Sequence, residues 1–185
     1  VINNNTIDGT GGPGVVVNQQ AFAVLTNNTI RNNAKDGVYV GEGSAARIGF
    51  NSGFETTASS NMIQLNGGSG IRVGGSSSAR VVGNMIHNND GDGVNVDSAS
   101  QADIASNAID GNDGDGVSIG QNSVVILGEN SGTSIFDLPN STGTNNGGFG
   151  LACALGGMVG GRRGSLNGVN GTSDIAGDCI DTSIP

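Results

Sequence analysis

Tryptophan is absent, tyrosine occurs once, aromatics make up 3% of the chain and charged residues only 12%. Leucine is also scarce, with 7 residues against 32 valines and isoleucines. Helical bundles and doubly wound α/β domains draw far more heavily on Leu, Ala, Glu and Lys, so this composition argues against both. No apolar run approaches the roughly 18 residues of a membrane-spanning helix, so no membrane insertion is expected. Positive charge is short too: 7 Lys and Arg stand against 16 Asp and Glu, a net charge of −9. Phosphate backbones and anionic lipid surfaces need clustered cations, so nucleic acid is not an expected partner. The chain starts at Val1 with no signal-peptide pattern, which reads as a processed form or an excised piece.

What is present in excess is glycine, 35 residues, and asparagine, 24 of the 185. Both are poor in helix interiors and favoured where the backbone takes positive φ. Val, Ile, Leu and Phe still total 44 residues, enough to form a core rather than a disordered chain. The excess of Val and Ile over Leu favours strands. The composition predicts a β protein of many short strands.

Internal repeats organise those strands. Asn28-Thr-Ile30, Asn61-Met-Ile63, Asn84-Met-Ile86 and Asn107-Ala-Ile109 share one frame with Asn5-Thr-Ile7, and the isoleucines are spaced by 23, 33, 23 and 23 residues. The glycines of Gly14-Val, Gly37-Val, Gly70-Ile, Gly93-Val and Gly116-Val keep the same spacing, as do Leu25, Ile48, Val81, Ile104 and Leu127. Three short strands per 23 residues, joined by Gly, Asn and Ser corners, match one coil of a parallel β-helix.

This pattern resembles the right-handed parallel β-helix repeat of the pectate lyase-like superfold, clearly over residues 1 to 130 and loosely beyond. The expected fold class is therefore all-β: a three-sheet right-handed solenoid of about seven coils, with strands of neighbouring coils about 4.8 Å apart. One domain is expected over 1–185, regular over 1–130 and irregular over 131–185, as a piece of a longer solenoid. Asn33, Asn66, Asn89 and Asn112 should form an internal corner ladder whose amides hydrogen-bond along the stack. Gly150-Leu-Ala-Cys153 reads as a sixth second strand. Cys153 and Cys179 fit either one disulfide of an oxidising compartment or two free thiols. Their separation of 26 residues, close to one coil, points to a terminal staple.

Candidate chemistry lies on the outward positions. The residues after the first-strand isoleucines make a ladder of Asp8, Arg31, Gln64, His87 and Asp110. The second strands add Val16, Tyr39, Arg72, Asn95 and Ser118. Gln64, His87, Asp110, Tyr39 and Arg72 are the candidate sugar contacts, although a single exposed histidine on a polar ladder is ordinarily just solvated. Sugar sites usually stack on aromatics, of which this chain has few. The twin motifs Asn89-Asp-Gly-Asp-Gly93 and Asn112-Asp-Gly-Asp-Gly116 stack Asp90, Asp92, Asp113 and Asp115 at one corner. Such like charges repel unless protonated or bridged, and oxygen-rich clusters suit Ca²⁺. Asp-Gly is also ordinary turn chemistry. Two insertions leave the same corner, roughly Gly53 to Ser60 and Gly132 to Gly148, three coils or about 14 Å apart. They would wall a groove.

The resemblance implies two enzymatic comparisons. Polygalacturonases place acid and base aspartates at this strand-to-strand corner, and Asp90/Asp92 with Asp113/Asp115 resemble that spacing. Their Gly-Gly-His-Gly segment reads Gly147-Gly-Phe149-Gly150 here, and their Arg-x-Lys motif is missing. In pectate lyases, outward aspartates hold Ca²⁺ and an arginine is the base; Asp110 and Arg31 are the nearest counterparts, three coils apart. The catalytic residues are left unassigned. The expected function is an extracellular module that binds a polysaccharide or cell-surface glycan, with processing left open. The rivals are a rigid stalk of an adhesin-type surface protein and a phage-type or virulence β-helix that recognises host glycans.

Overall fold

Three-residue strands with Val or Ile at both ends can bury those ends while the middle residue faces out, and one of the three sheets is built on this unit; a second buries the middle isoleucine instead. A computed structural model describes residues 1–129, 137–169 and 175–183. They contain strands, turns and no helix. All strand pairs are parallel, and each joins one coil to the next. The first sheet runs β1 (Ile2–Asn3), β4 (Phe22–Thr26), β7 (Ala45–Ile48), β10 (Ser78–Val82), β13 (Gln101–Ala105), β16 (Val124–Leu127), β18 (Met158–Gly161) and β20 (Ile180–Asp181). The second holds β2 (Thr6–Asp8), β5 (Thr29–Arg31), β8 (Met62–Gln64), β11 (Met85–His87) and β14 (Ala108–Asp110). The third holds β3 (Val15–Val17), β6 (Val38–Val40), β9 (Ile71–Val73), β12 (Val94–Val96), β15 (Val117–Ile119), β17 (Leu151–Cys153) and β19 (Ile175–Gly177).

The repeat positions become stacking positions. Ile30, Ile63, Ile86 and Ile109 are in register and fully buried. So are Leu25, Ile48, Val81, Ile104 and Leu127 on the first sheet. Glycine at the entry of the third-sheet strands β3 to β17 follows from this stacking. A Cβ on Gly37 would stand 2.6 Å from Cγ2 of Ile63 and 2.6 Å from the Gly70 carbonyl oxygen. No side chain fits there.

Buried corners need hydrogen bonds that the short strands do not supply. The expected ladder is present: Nδ2 donates to the next Oδ1 from Asn33 to Asn66, Asn66 to Asn89 and Asn89 to Asn112 at 2.8–2.9 Å. It continues to Asn146 at 2.9 Å. A second ladder, not anticipated as such, runs Asn28, Asn61, Asn84, Asn107 and Asn140 at 2.9–3.1 Å. At the third corner, the Ser44, Ser77 and Ser100 N–H groups donate to the hydroxyls of Ser77, Ser100 and Ser123.

The stack continues beyond residue 130. Leu151, Ala152 and Cys153 pair in register with Val117, Ser118 and Ile119, so the sixth second strand forms as read. The second insertion is shorter than the sequence suggested. Asn140 already takes the ladder position above Asn107, and Ser141 pairs with Ala108, so coil geometry resumes there rather than at Gly148. Its other expected boundary, Gly132, lies outside the described residues. Cys153 and Cys179 form the expected disulfide, with Cα atoms 4.9 Å apart.

Candidate functional site

Alternation along the first sheet turns two rows of side chains outward. One row is Phe22, Ala45, Ser78 and Gln101; the other contains Arg47, Arg80 and Asp103. Together they line an open depression of about 370 Å³ across four coils, with Ala46, Ala79 and Ala102 in its floor. Phe22 stands at one end, 61% exposed.

Arg47 is held from several sides. Its Nη1 donates to the Asn51 carbonyl at 3.0 Å, and its guanidinium lies 5.6 Å from the Phe22 ring centroid and 5.8 Å from that of Phe50. Phe50 is 1% exposed and packs against Val82 and Ala58, so the first insertion folds back on the stack and fixes the arginine. The insertion is stitched on both sides: the Asn27 N–H donates to the Ser59 carbonyl at 3.0 Å, and the Ser60 hydroxyl donates to the Gly83 carbonyl. Arg80 makes an ion pair with Asp103 at 3.6 Å. Burial holds the Asp103 carboxyl above its ordinary range, outweighing the attraction of Arg80.

The second insertion is tied differently. Arg162 donates to the Gly128 carbonyl at 2.6 Å and to the Asp137 carbonyl, bridging the insertion's flanks. The two insertions do leave the same corner after first-sheet strands three coils apart, β7 and β16. The depression, however, lies on the sheet face rather than between the loops.

The sequence-derived candidates sit on the two other faces. Gln64, His87 and Asp110 are adjacent in register on the second sheet, as expected. His87 Nδ1 lies 3.1 Å from Asn88 Nδ2. At the head of that ladder Asp8 pairs with Arg31 at 2.9 Å, and its carboxyl is lowered by the Asn32 amide and then by Arg31. Tyr39 and Arg72 are neighbours on the third sheet, with the guanidinium 6.0 Å from the ring centroid. Arg72 is committed to Asp97 at 2.7 Å.

The acidic corner is used for stitching. Asp92 Oδ1 accepts the Asp115 N–H at 2.8 Å, and Asp92 Oδ2 accepts the Asn95 amide at 2.8 Å. Asp115 Oδ1 accepts the Phe149 N–H at 2.7 Å, and Asp36 Oδ1 accepts the Ser69 N–H at 2.9 Å. Asp90 and Asp113 point into solvent as exposed corner residues. Among the described residues no group of three or more His, Cys, Asp or Glu is placed to hold a metal ion. Burial raises the Asp36 carboxyl, against the Ser69 N–H and Arg72.

Phe22, Arg47, Arg80, Gln101 and Asp103 were missed in the sequence reading. The signal was available: the outward neighbours of the third-strand core residues keep the 23, 33, 23 spacing, from 24 through 47 and 80 to 103. Their identities change from coil to coil, so no motif marks them.

A family model described as the right-handed β-helix region matches residues 1–160. No curated protein and no solved structure matches the chain.

Proposed function

Because the chain belongs to the right-handed β-helix family, we propose that it works as an extracellular module that binds a polysaccharide along the outer face of its first sheet. The observation that carries this reading is the depression between Phe22 and Asp103. An extended polymer needs a long, shallow floor with polar groups at regular intervals. Four parallel strands about 4.8 Å apart supply one. The small residues Ala45, Ser78 and the alanine row leave room for a sugar ring, while Phe22, Gln101 and the two arginines surround it. The extracellular setting draws support from the Cys153–Cys179 bond, since disulfides persist in oxidising compartments.

A glycan array tests the reading, run with and without Ca²⁺ on the wild type, Phe22→Ala and Ser78→Trp. Binding that both substitutions abolish, in proteins with unchanged circular dichroism, supports it. New reducing ends after incubation would add processing to binding. A stalk reading has its own support in the asparagine, serine and aspartate stitching between coils, which stiffens the stack. Failure of every glycan to bind would favour it.

A further inference from the structure

Resting on that binding reading, the geometry points to an anion-recognition centre at Arg47 and Arg80, which takes a carboxylate or sulfate carried on a sugar ring.

The chain has net charge −9 and 7 cationic side chains. Arg31, Arg72, Arg80, Arg162 and Arg163 each have a carboxylate partner within 4 Å. Among the described residues Arg47 is the arginine that has none. In so acidic a protein, an arginine lacking a counterion is a feature of its site rather than a result of scarce carboxylates.

Arg47 is also pre-organised. The Asn51 carbonyl takes one donor, and the Phe22 and Phe50 rings flank the guanidinium. Aromatic faces stabilise a guanidinium without neutralising it, so its charge stays available to a ligand. The buried Phe50 anchors this arrangement to the coil stack.

Arg80 supplies a second fork on the adjacent strand, in register with Arg47. Its pairing with Asp103 is loose, at 3.6 Å with the side chains 46% and 27% exposed. Such surface pairs contribute little, so a ligand anion competes readily for the guanidinium. Two like charges on neighbouring strands repel each other, and an anion seated between them turns that repulsion into two attractions. Asp103 borders the same depression and repels an anion from its far end, so the ligand charge is directed toward Arg47. Phe22 then lies beside the sugar ring that carries it.

The experiment is titration calorimetry with three probes: a hexa-uronate, a sulfated hexasaccharide and the same hexasaccharide unmodified. Wild type, Arg47→Gln, Arg80→Gln and Phe22→Ala are compared, each checked by circular dichroism. The wild type should prefer at least one anionic probe, with affinity falling as salt rises. Each arginine substitution should weaken that probe by about tenfold or more, as for a charged hydrogen bond, while leaving the neutral probe unchanged. Tighter binding of the uronate identifies a carboxylate, and tighter binding of the sulfated probe a sulfate; either supports the centre. If Arg47→Gln disturbs the insertion and unfolds, Arg80→Gln decides alone. Anionic probes that bind no better than the neutral one, or arginine variants that bind them as wild type does, overturn the centre. If Phe22→Ala still weakens the neutral probe in that case, the polysaccharide reading survives. If it weakens nothing, both fall.

Discussion

Leu65 occupies a backbone position that its counterparts fill with better-suited residues. Asn32, Asn88 and Gly111 sit at the same corner of other coils with φ of 53°, 56° and 63°, and Leu65 with 57°. A left-handed conformation costs a branched residue about 1–2 kcal/mol, and asparagine less. Leu65 is 50% exposed and loses little burial on replacement. Leu65→Asn should therefore stabilise the protein by about 1 kcal/mol, read from the denaturation midpoint. Asp36 sets a second expectation. Its folded-state carboxyl lies above the ordinary value because of burial, so the folded state holds its proton more tightly than the unfolded chain does. Stability from this group is present at acid pH and is lost as pH rises through the interval above 3.8. Asp36→Asn keeps an oxygen for the Ser69 N–H and removes the charge. The variant should unfold at a higher temperature at pH 7 and show a flatter stability profile between acid and neutral pH. A lower unfolding temperature at pH 7 would contradict this.

At the level of elements, Phe50 fastens the first insertion together with its hydrogen bonds to the coils, and a disulfide fastens the last coil together with its strand pairing. Phe50 covers Val82 under the insertion, outside the main core cluster. Phe50→Ala should loosen residues 51–59 and release Arg47 while the coils stay folded. Limited proteolysis would find a new cut in that loop with β circular dichroism unchanged. The Cys153–Cys179 bond ties β19 and β20 to the stack, closing a loop of sequence separation 26. Cross-links of this size contribute about 3 kcal/mol. Reduction should lower the unfolding temperature and open the carboxy-terminal forty or so residues to protease first.

At the scale of the whole molecule, stability propagates from coil to coil, since each coil touches only its neighbours. Ile86 is fully buried with partners on both sides, Ile63 and Ile109. Ile7 pairs only with Ile30 on the described stack and is partly exposed. Ile86→Ala should cost about 2–5 kcal/mol, and Ile7→Ala distinctly less. Equal losses in denaturant melts would show that the stack unfolds as one unit with no soft end.

The sequence by itself determined the coil. Inward positions face the same neighbours in every turn, so Ile30, Gly37 and Asn33 recur at one period and can be read without coordinates. The amide ladder and the disulfide were legible for the same reason, because stacking converts a constant spacing into contact. The face proposed to bind was not legible. Outward residues are free to differ between coils, and Arg47, Arg80 and Phe22 acquire meaning only when three strands lie side by side. The spacing of the aspartate motifs stacks carboxylates, which reads either as a cation cluster or as ordinary turn chemistry. Only the tertiary structure showed that Asp92 and Asp115 reach the backbone N–H of the next coil, which uses them as corner acceptors. It also decided that Arg47 is left without a carboxylate partner among the described residues, because the insertion brings Phe50 and Asn51 to it instead.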